Sequence, residues 1–213
     1  MDPHSISTAI YALLIGGVLS LIGWVAVELY KFDSLRQILF VEICSFVAVI
    51  EEMELRDNFD AAIRDLPKKI AYSSEEDYFT LFKANAENLG LFRADTVGHV
   101  VACYTFMKGA RDARRGAVGP TDSSDESAAA CIWNLRHSAR LVARSLREAD
   151  EATKGLMRWP RREALQEVMK RILPKQSIAE LADIWEAIAA GQSFHLPEQR
   201  DLPILQDLGS RRA

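Results

Sequence analysis

What this chain lacks sets its first limits. Among 213 residues there are three cysteines, Cys44, Cys103 and Cys131, each in an apolar, helix-patterned stretch with no C-x-x-C pair and no suitably spaced histidine. That excludes a disulfide framework or a zinc knuckle and suits buried reduced thiols in a reducing compartment. The first thirty residues hold no Lys or Arg, so the basic start of a cleaved signal peptide is missing. Neither Gly nor Pro occurs between Trp24 and Leu66, which removes the residues that punctuate turns. There is no alternating strand pattern and no internal repeat. H-E-x-x-H, the phosphate-loop G-x-x-x-x-G-K-[ST] and G-x-S-x-G are all absent. His4, His99, His137 and His195 share no ligand spacing. No catalytic residue, metal ligand or cofactor is therefore assigned, and the reading is non-enzymatic.

What is present is apolar material and an uneven charge. Apolar residues make up 49% and charged residues 26%, enough for a core. The net charge of −4 conceals two unlike halves: residues 31–110 carry 9 Lys/Arg against 13 Asp/Glu, and residues 111–171 carry 13 against 9. The basic half is the better seat for an anionic partner.

The run Ala9–Leu29 has no charge before Glu28, and at 1.5 Å per residue it covers about 30 Å, the hydrocarbon thickness of a bilayer. It is read as a retained transmembrane helix over 9–30, with Trp24 and Tyr30 as an interfacial belt. Residues 1–8 form a short non-cytoplasmic N-terminus. Lys31 and Arg36 follow the span and nothing basic precedes it, which places the body in the cytoplasm, at a bacterial inner membrane. Ala9, Ala12, Gly16, Ser20 and Gly23 fall on one stripe of the span. Small residues four apart let two helix backbones approach, so the lipid bilayer is joined by a second expected partner, another copy or another membrane protein.

A second apolar run, Ile38–Ile50, is too short to span and carries Glu42 in its middle. With no turn residue between the runs, the first helix is expected to continue out of the membrane. Leu35, Leu39, Ile43, Phe46, Ile50 and Met53 keep helical spacing and mark its core face. A buried carboxylate needs a companion, and Asn85, Asn88 and Tyr104 are the candidates for a buried polar network with Glu42.

Further helices follow to Gly191, giving an all-α cytoplasmic bundle of five or six helices over 31–191. Ser73 or Ser74 starts one that Gly90 closes. Asp95 or Thr96 opens the next. Residues 116–127 are the mobile loop, then a long helix runs from about Ser127 to Lys154. Pro160 sits in the first turn of the following one. Ser177 and Glu180 form a capping box for the last, and residues 192–213 are an extended tail. The stretch "YFTLFKANAENLGLFRADTVGHVVACYTFMKGAR", Tyr78–Arg111, resembles a segment of uncharacterised bacterial single-pass membrane proteins, with Phe92 replacing the second leucine of their turn. That resemblance implies a bacterial origin and a helical hairpin packed on the membrane-proximal helix. It brings no activity.

The sharpest surface signal is Arg136, Arg140, Arg144 and Arg147, all on one helix face opposite the apolar Leu135, Ala139, Val142 and Leu146. Like charges four apart repel unless an anion lies along them. Acidic groups of the bundle itself, anionic lipid or an acidic protein would answer them; nucleic acid is disfavoured. The expected function is a membrane-anchored interaction or assembly subunit that oligomerises through its span and membrane-proximal helix. The alternative is a membrane-perturbing stress or phage-defence effector, and an enzyme of unidentified class comes third.

Overall fold

Without Gly or Pro to break it, the first helix does not stop at the end of the apolar run. In the computed structural model, which describes residues 3–52, 59, 80–117, 125–158, 162–173 and 177–191, helix α1 is continuous from Pro3 to Glu52. Residues 3–8, read from sequence as a separate short terminus, are already helical. Fifty residues make about 75 Å.

The two halves of α1 differ in surroundings. From Leu13, 77% exposed, to Tyr30, 75% exposed, nearly every large apolar side chain stands clear of the rest of the chain. This segment is long and apolar enough to cross a membrane. Burial begins abruptly at Leu35 and takes in Leu39, Phe40, Ile43, Cys44, Val47 and Ile50. The outer half of α1 is thus a core helix of the bundle, and its apolar positions are those that helical periodicity demands.

Five more α-helices are described: α2 (Thr80–Asn85), α3 (Ala94–Ala117), α4 (Asp125–Leu156), α5 (Arg162–Ile172) and α6 (Ile178–Ala190), with a 3₁₀ turn at Ala86–Leu91 between α2 and α3. No strand occurs among the described residues. Four boundaries differ from the sequence expectation. The helix expected to run to Leu89 tightens into the 3₁₀ turn after Asn85, and α3 begins at Ala94, just before Asp95. The loop expected at 116–127 is narrower at both ends, because Gly116 and Ala117 belong to α3 and residues 125–127 to α4. Ser73, Ser74, Pro160 and the tail 192–213 lie outside the described residues.

α3 and α4 form the tightest pair, an antiparallel hairpin. Ser145 Oγ donates to the Cys103 carbonyl (2.8 Å) and Ser138 Oγ to the Ala110 carbonyl (2.7 Å), so two buried hydroxyls of α4 are satisfied on the facing backbone. Such contacts require close approach, and Ala110, Ala139 and Ala149 supply it. At one end Gly155 passes so near Thr96 that a Cβ there would lie 2.6 Å from Oγ1. α6 packs on the other side of α4 through Leu181, Ala182, Trp185 and Ile188. Its N-terminus carries the full capping box: Ser177 Oγ accepts from Glu180 N, and the Glu180 carboxylate accepts from Ser177 N. Gly191 ends it at φ 73°, where a side chain would be strained. α5 lies against α1, and Phe59 meets Trp185 edge-on at 5.2 Å.

Two contacts set the direction of the layers. Phe32 packs on Phe92 at 4.9 Å, and Glu42 is bonded to Tyr104. α3 therefore rises parallel to α1 away from the exposed apolar half, and α4 returns towards it.

Candidate interaction surfaces

Glu42 is a junction. It is 9% exposed, and its two oxygens accept from different elements: Oε2 from the Tyr104 hydroxyl at 2.5 Å and Oε1 from the Leu81 backbone N–H at 3.1 Å. Leu81 is the second residue of α2, so the carboxylate satisfies an otherwise orphaned N–H at that helix start. The Tyr104 ring stacks on Phe82 at 4.1 Å. Burial first, and then the hydrogen bond to Glu42, push the Tyr104 phenol well above its usual range, which keeps it a donor. Of the four residues grouped from sequence, the structure joins Glu42 and Tyr104. Asn85 stands one step away, donating to the Leu81 carbonyl at 2.8 Å. Asn88 is exposed and outside the cluster, because the 3₁₀ turn rotates it outward.

The four arginines of α4 all lie on its exposed face. Much of their charge is answered inside the fold. Arg147 is paired with Glu186 and lies 3.6 Å from Asp183, both on α6. The Arg136 guanidinium covers Gly191 at the C-terminal end of α6, where the helix dipole is negative. Arg144 sits over the Phe106 ring of α3 at 5.9 Å. Apart from that approach of Arg136 to Gly191, neither Arg136 nor Arg140 has a hydrogen bond, ion pair or ring contact among the described residues. Arg140, Arg144 and Arg147 border a cavity of about 320 Å³ whose floor is Ala143, Ala189 and Ala190. The row is first a seam between helices and second an open basic edge. Trp133, 62% exposed and stacked on His137 at 5.1 Å, lies on the same face. The sequence reading missed it, although its i, i+4, i+7 spacing to His137 and Arg140 was legible.

Gly16, Ser20 and Gly23 of the span meet no other element among the described residues. A Cβ added at Gly16 or Gly23 would find no atom within 4 Å, and Ser20 is exposed. The side chains of Ala9 and Ala12 lie outside the described ones. Further along, Gln37, Ile38 (37% exposed), Val41 (39%) and Ser45 are the exposed positions of α1 between Leu35 and Ile50, and Ile38 and Val41 are the apolar ones among them. At about 100° per residue Ile38, Val41 and Ser45 fall within roughly 60° of arc with Gly16, Ser20 and Gly23.

Arg36, counted from sequence as a flanking surface charge, is 1% exposed and bonds Asp33 at 2.5 Å. Lys31 is the exposed cation after the apolar run, and it pairs with Glu28 at 2.9 Å.

All three thiols are free. Burial pushes Cys44 and Cys103 up to about 12, so neither is a nucleophile at neutral pH. Cys131 is only half-buried and donates to the Ala117 carbonyl at 3.1 Å. Among the described residues no group of three His, Cys, Asp or Glu side chains is placed to hold a metal ion. His99 bonds Glu148 at 2.7 Å across the α3–α4 hairpin. No protein-family model, no curated protein and no solved structure matches this chain.

Proposed function

We propose that this protein is a non-catalytic, single-pass, membrane-anchored assembly subunit that self-associates along α1. The observation that carries the reading is the run of uncovered positions on α1. The side left bare by the bundle (Ile38, Val41, Ser45) continues the line of the small residues (Gly16, Ser20, Gly23) in the exposed apolar half. A helix whose bare ridge keeps one phase across both environments is suited to a partner that follows it from one into the other. Small residues admit a close backbone in lipid, where packing replaces the hydrophobic effect. Ile38 and Val41 supply apolar area in water.

The segment 9–30 is the span, and a bacterial inner membrane with the body in the cytoplasm is the placement that Lys31 and the free thiols favour. On this reading the basic edge of α4 does not face the lipid of its own membrane. Ser145 is level with Cys103 and hence with Glu42, twelve residues past Tyr30, about 18 Å along the axis. That is about two Debye lengths at physiological salt. An acidic protein is the better partner for Arg140.

The test is extraction and mass together. Carbonate washing should leave the full chain in the membrane. In mild detergent it should sediment as a defined oligomer, and Gly16→Leu with Ser20→Leu should disperse it. Release by carbonate, or a monomer at all concentrations, overturns the proposal.

A further inference from the structure

We infer that the cleft between α4 and α6 docks a short acidic segment of a partner protein, with Trp133 as the apolar anchor beside it. This gives the acidic partner proposed above its site, and it depends on neither self-association nor the membrane.

The cations carry the argument. Arg136, Arg140 and Arg144 follow one another four residues apart over about 12 Å of α4, all three exposed. None of the three has a carboxylate partner among the described residues: Arg136 lies over the end of α6 beside Gly191, Arg144 over the Phe106 ring, and Arg140 against neither. Like charges one turn apart repel, and an anion laid along the row reverses the sign of that interaction. Between the arginines the floor is Ala143, Ala189 and Ala190, whose short side chains leave a cleft of about 320 Å³ for an incoming backbone.

The row is also bounded, and the bound selects the anion. Glu186 lines the cleft, and with Asp183 it already answers Arg147, so negative charge stands at that end of the row. A long run of phosphates would pass from the unpaired cations into those carboxylates; a segment with two or three acidic side chains stops short of them. Carboxylates four apart on a helix recur at about 5–6 Å, the interval of the arginines themselves. Alternate residues of an extended segment recur at about 6–7 Å. Each guanidinium fork can donate to both oxygens of such a group. A flat layer of lipid headgroups does not enter a cleft between two helices.

At the opposite end, two turns before Arg140, stands Trp133. Its exposed ring lies 11° from parallel with the His137 ring at 5.1 Å, so it is held against the helix before anything binds. Trp and Arg are the residues in which interface energy concentrates, and a ring already held in place loses little freedom on docking.

The experiment uses the full chain in mild detergent and a short fluorescein-labelled peptide of glutamate and alanine with a leucine at each end. Anisotropy should show saturable binding that weakens with salt. Arg140→Glu with Arg144→Glu should weaken it at least tenfold, and Arg140→Gln, the milder change, at least threefold. Lys170→Glu with Arg171→Glu makes an equal change in net charge at exposed positions of α5 and should alter it less than twofold. Trp133→Ala should weaken binding at least threefold and abolish the change in intrinsic fluorescence that the peptide causes. Absence of saturable binding overturns the inference, as does an equal loss from the two charge-reversed pairs, which would reduce the effect to net charge. Tighter binding of oligothymidylate or of phosphatidylglycerol vesicles, lost in the same Arg140 and Arg144 variants, would put nucleic acid or lipid in the cleft and overturn it too. Each of these failures leaves self-association along α1 standing, since that is read by extraction and sedimentation.

Discussion

Removing the Tyr104 hydroxyl tests whether Glu42 holds three helices together. Tyr104→Phe keeps the ring on Phe82 and deletes one donor at 2.5 Å from a carboxylate that is 9% exposed. A hydrogen bond to a charged partner contributes about 1.5–3 kcal/mol, and the acceptor left behind stays buried. For a chain of this size about 1 kcal/mol moves the midpoint by 2–4 °C, so a loss of about 2 kcal/mol lowers it by roughly 4–8 °C. Glu42→Gln presents one carbonyl oxygen to two donors, Tyr104 Oη and Leu81 N, and should lose a similar amount. The double variant should fall short of the sum by at least about 1 kcal/mol, because one hydrogen bond is being removed twice. Thermal unfolding followed by circular dichroism in mild detergent reads all three. The pH dependence gives a second check. The phenol is raised in the folded protein from an ordinary value of 10.0, so its contribution is complete below about pH 10 and is lost as pH climbs above it. That alkaline loss should be absent in Tyr104→Phe. Single effects that add within about 0.5 kcal/mol, or a Glu42→Leu variant as stable and as well assembled as the parent, would make the pairing incidental.

Four further outcomes follow from the packing. Gly155→Ala drives a methyl to 2.6 Å and 3.0 Å from the two γ atoms of Thr96, which no rotamer avoids; it should destabilise by about 1–3 kcal/mol, and Thr96→Ala should restore much of the loss in a denaturant titration. Ser177→Ala removes the α6 cap and should cost about 1 kcal/mol. Hydrogen bonding to Ser177, backbone before side chain, holds the Glu180 carboxyl below its usual 4.5 in the fold, so that contribution is present above pH 4.5 and fades as pH falls through the lowered value; Glu180→Gln should flatten the acid limb of a stability profile. Thiol labelling at pH 8 should mark Cys131 well ahead of Cys44 and Cys103, and equal labelling of all three in the folded chain would contradict the burial that raises the latter two to about 12.

Absences proved more readable than patterns in this sequence. With no Gly or Pro between Trp24 and Leu66, nothing local could end α1, and its continuity to Glu52 follows from propagation being easier than renucleation. The Ser177–Glu180 box was equally plain, because both of its bonds form within one turn. Glu42 announced a need, and distance along the chain did not hide Tyr104, since a buried carboxylate accepts few kinds of partner. Asn88 failed for a local reason, a 3₁₀ turn that periodicity at 3.6 residues does not anticipate. Arg36 was counted with Lys31 as a flanking charge because it follows the apolar run by only seven residues. Asp33, one turn earlier, lets it stay inside the bundle.

The deeper limit concerns faces. Helical phase shows which residues share a side, yet it cannot say which side the fold will cover. α4 was simple, with apolar residues on one side and arginines on the other, but what faces the arginines waits on α6, some forty residues downstream. α3 is the harder case, since Val100 and Met107 point one way and Val101 the other, and only three-dimensional structure shows that Val101 is the one left exposed. A globular domain can leave single apolar side chains in water at little cost. It is less usual to leave a ridge of small and apolar positions along one helix, from the exposed apolar half of α1 into the bundle. Those features are what the described residues of a single copy leave uncovered, and they are the ground on which self-association is proposed.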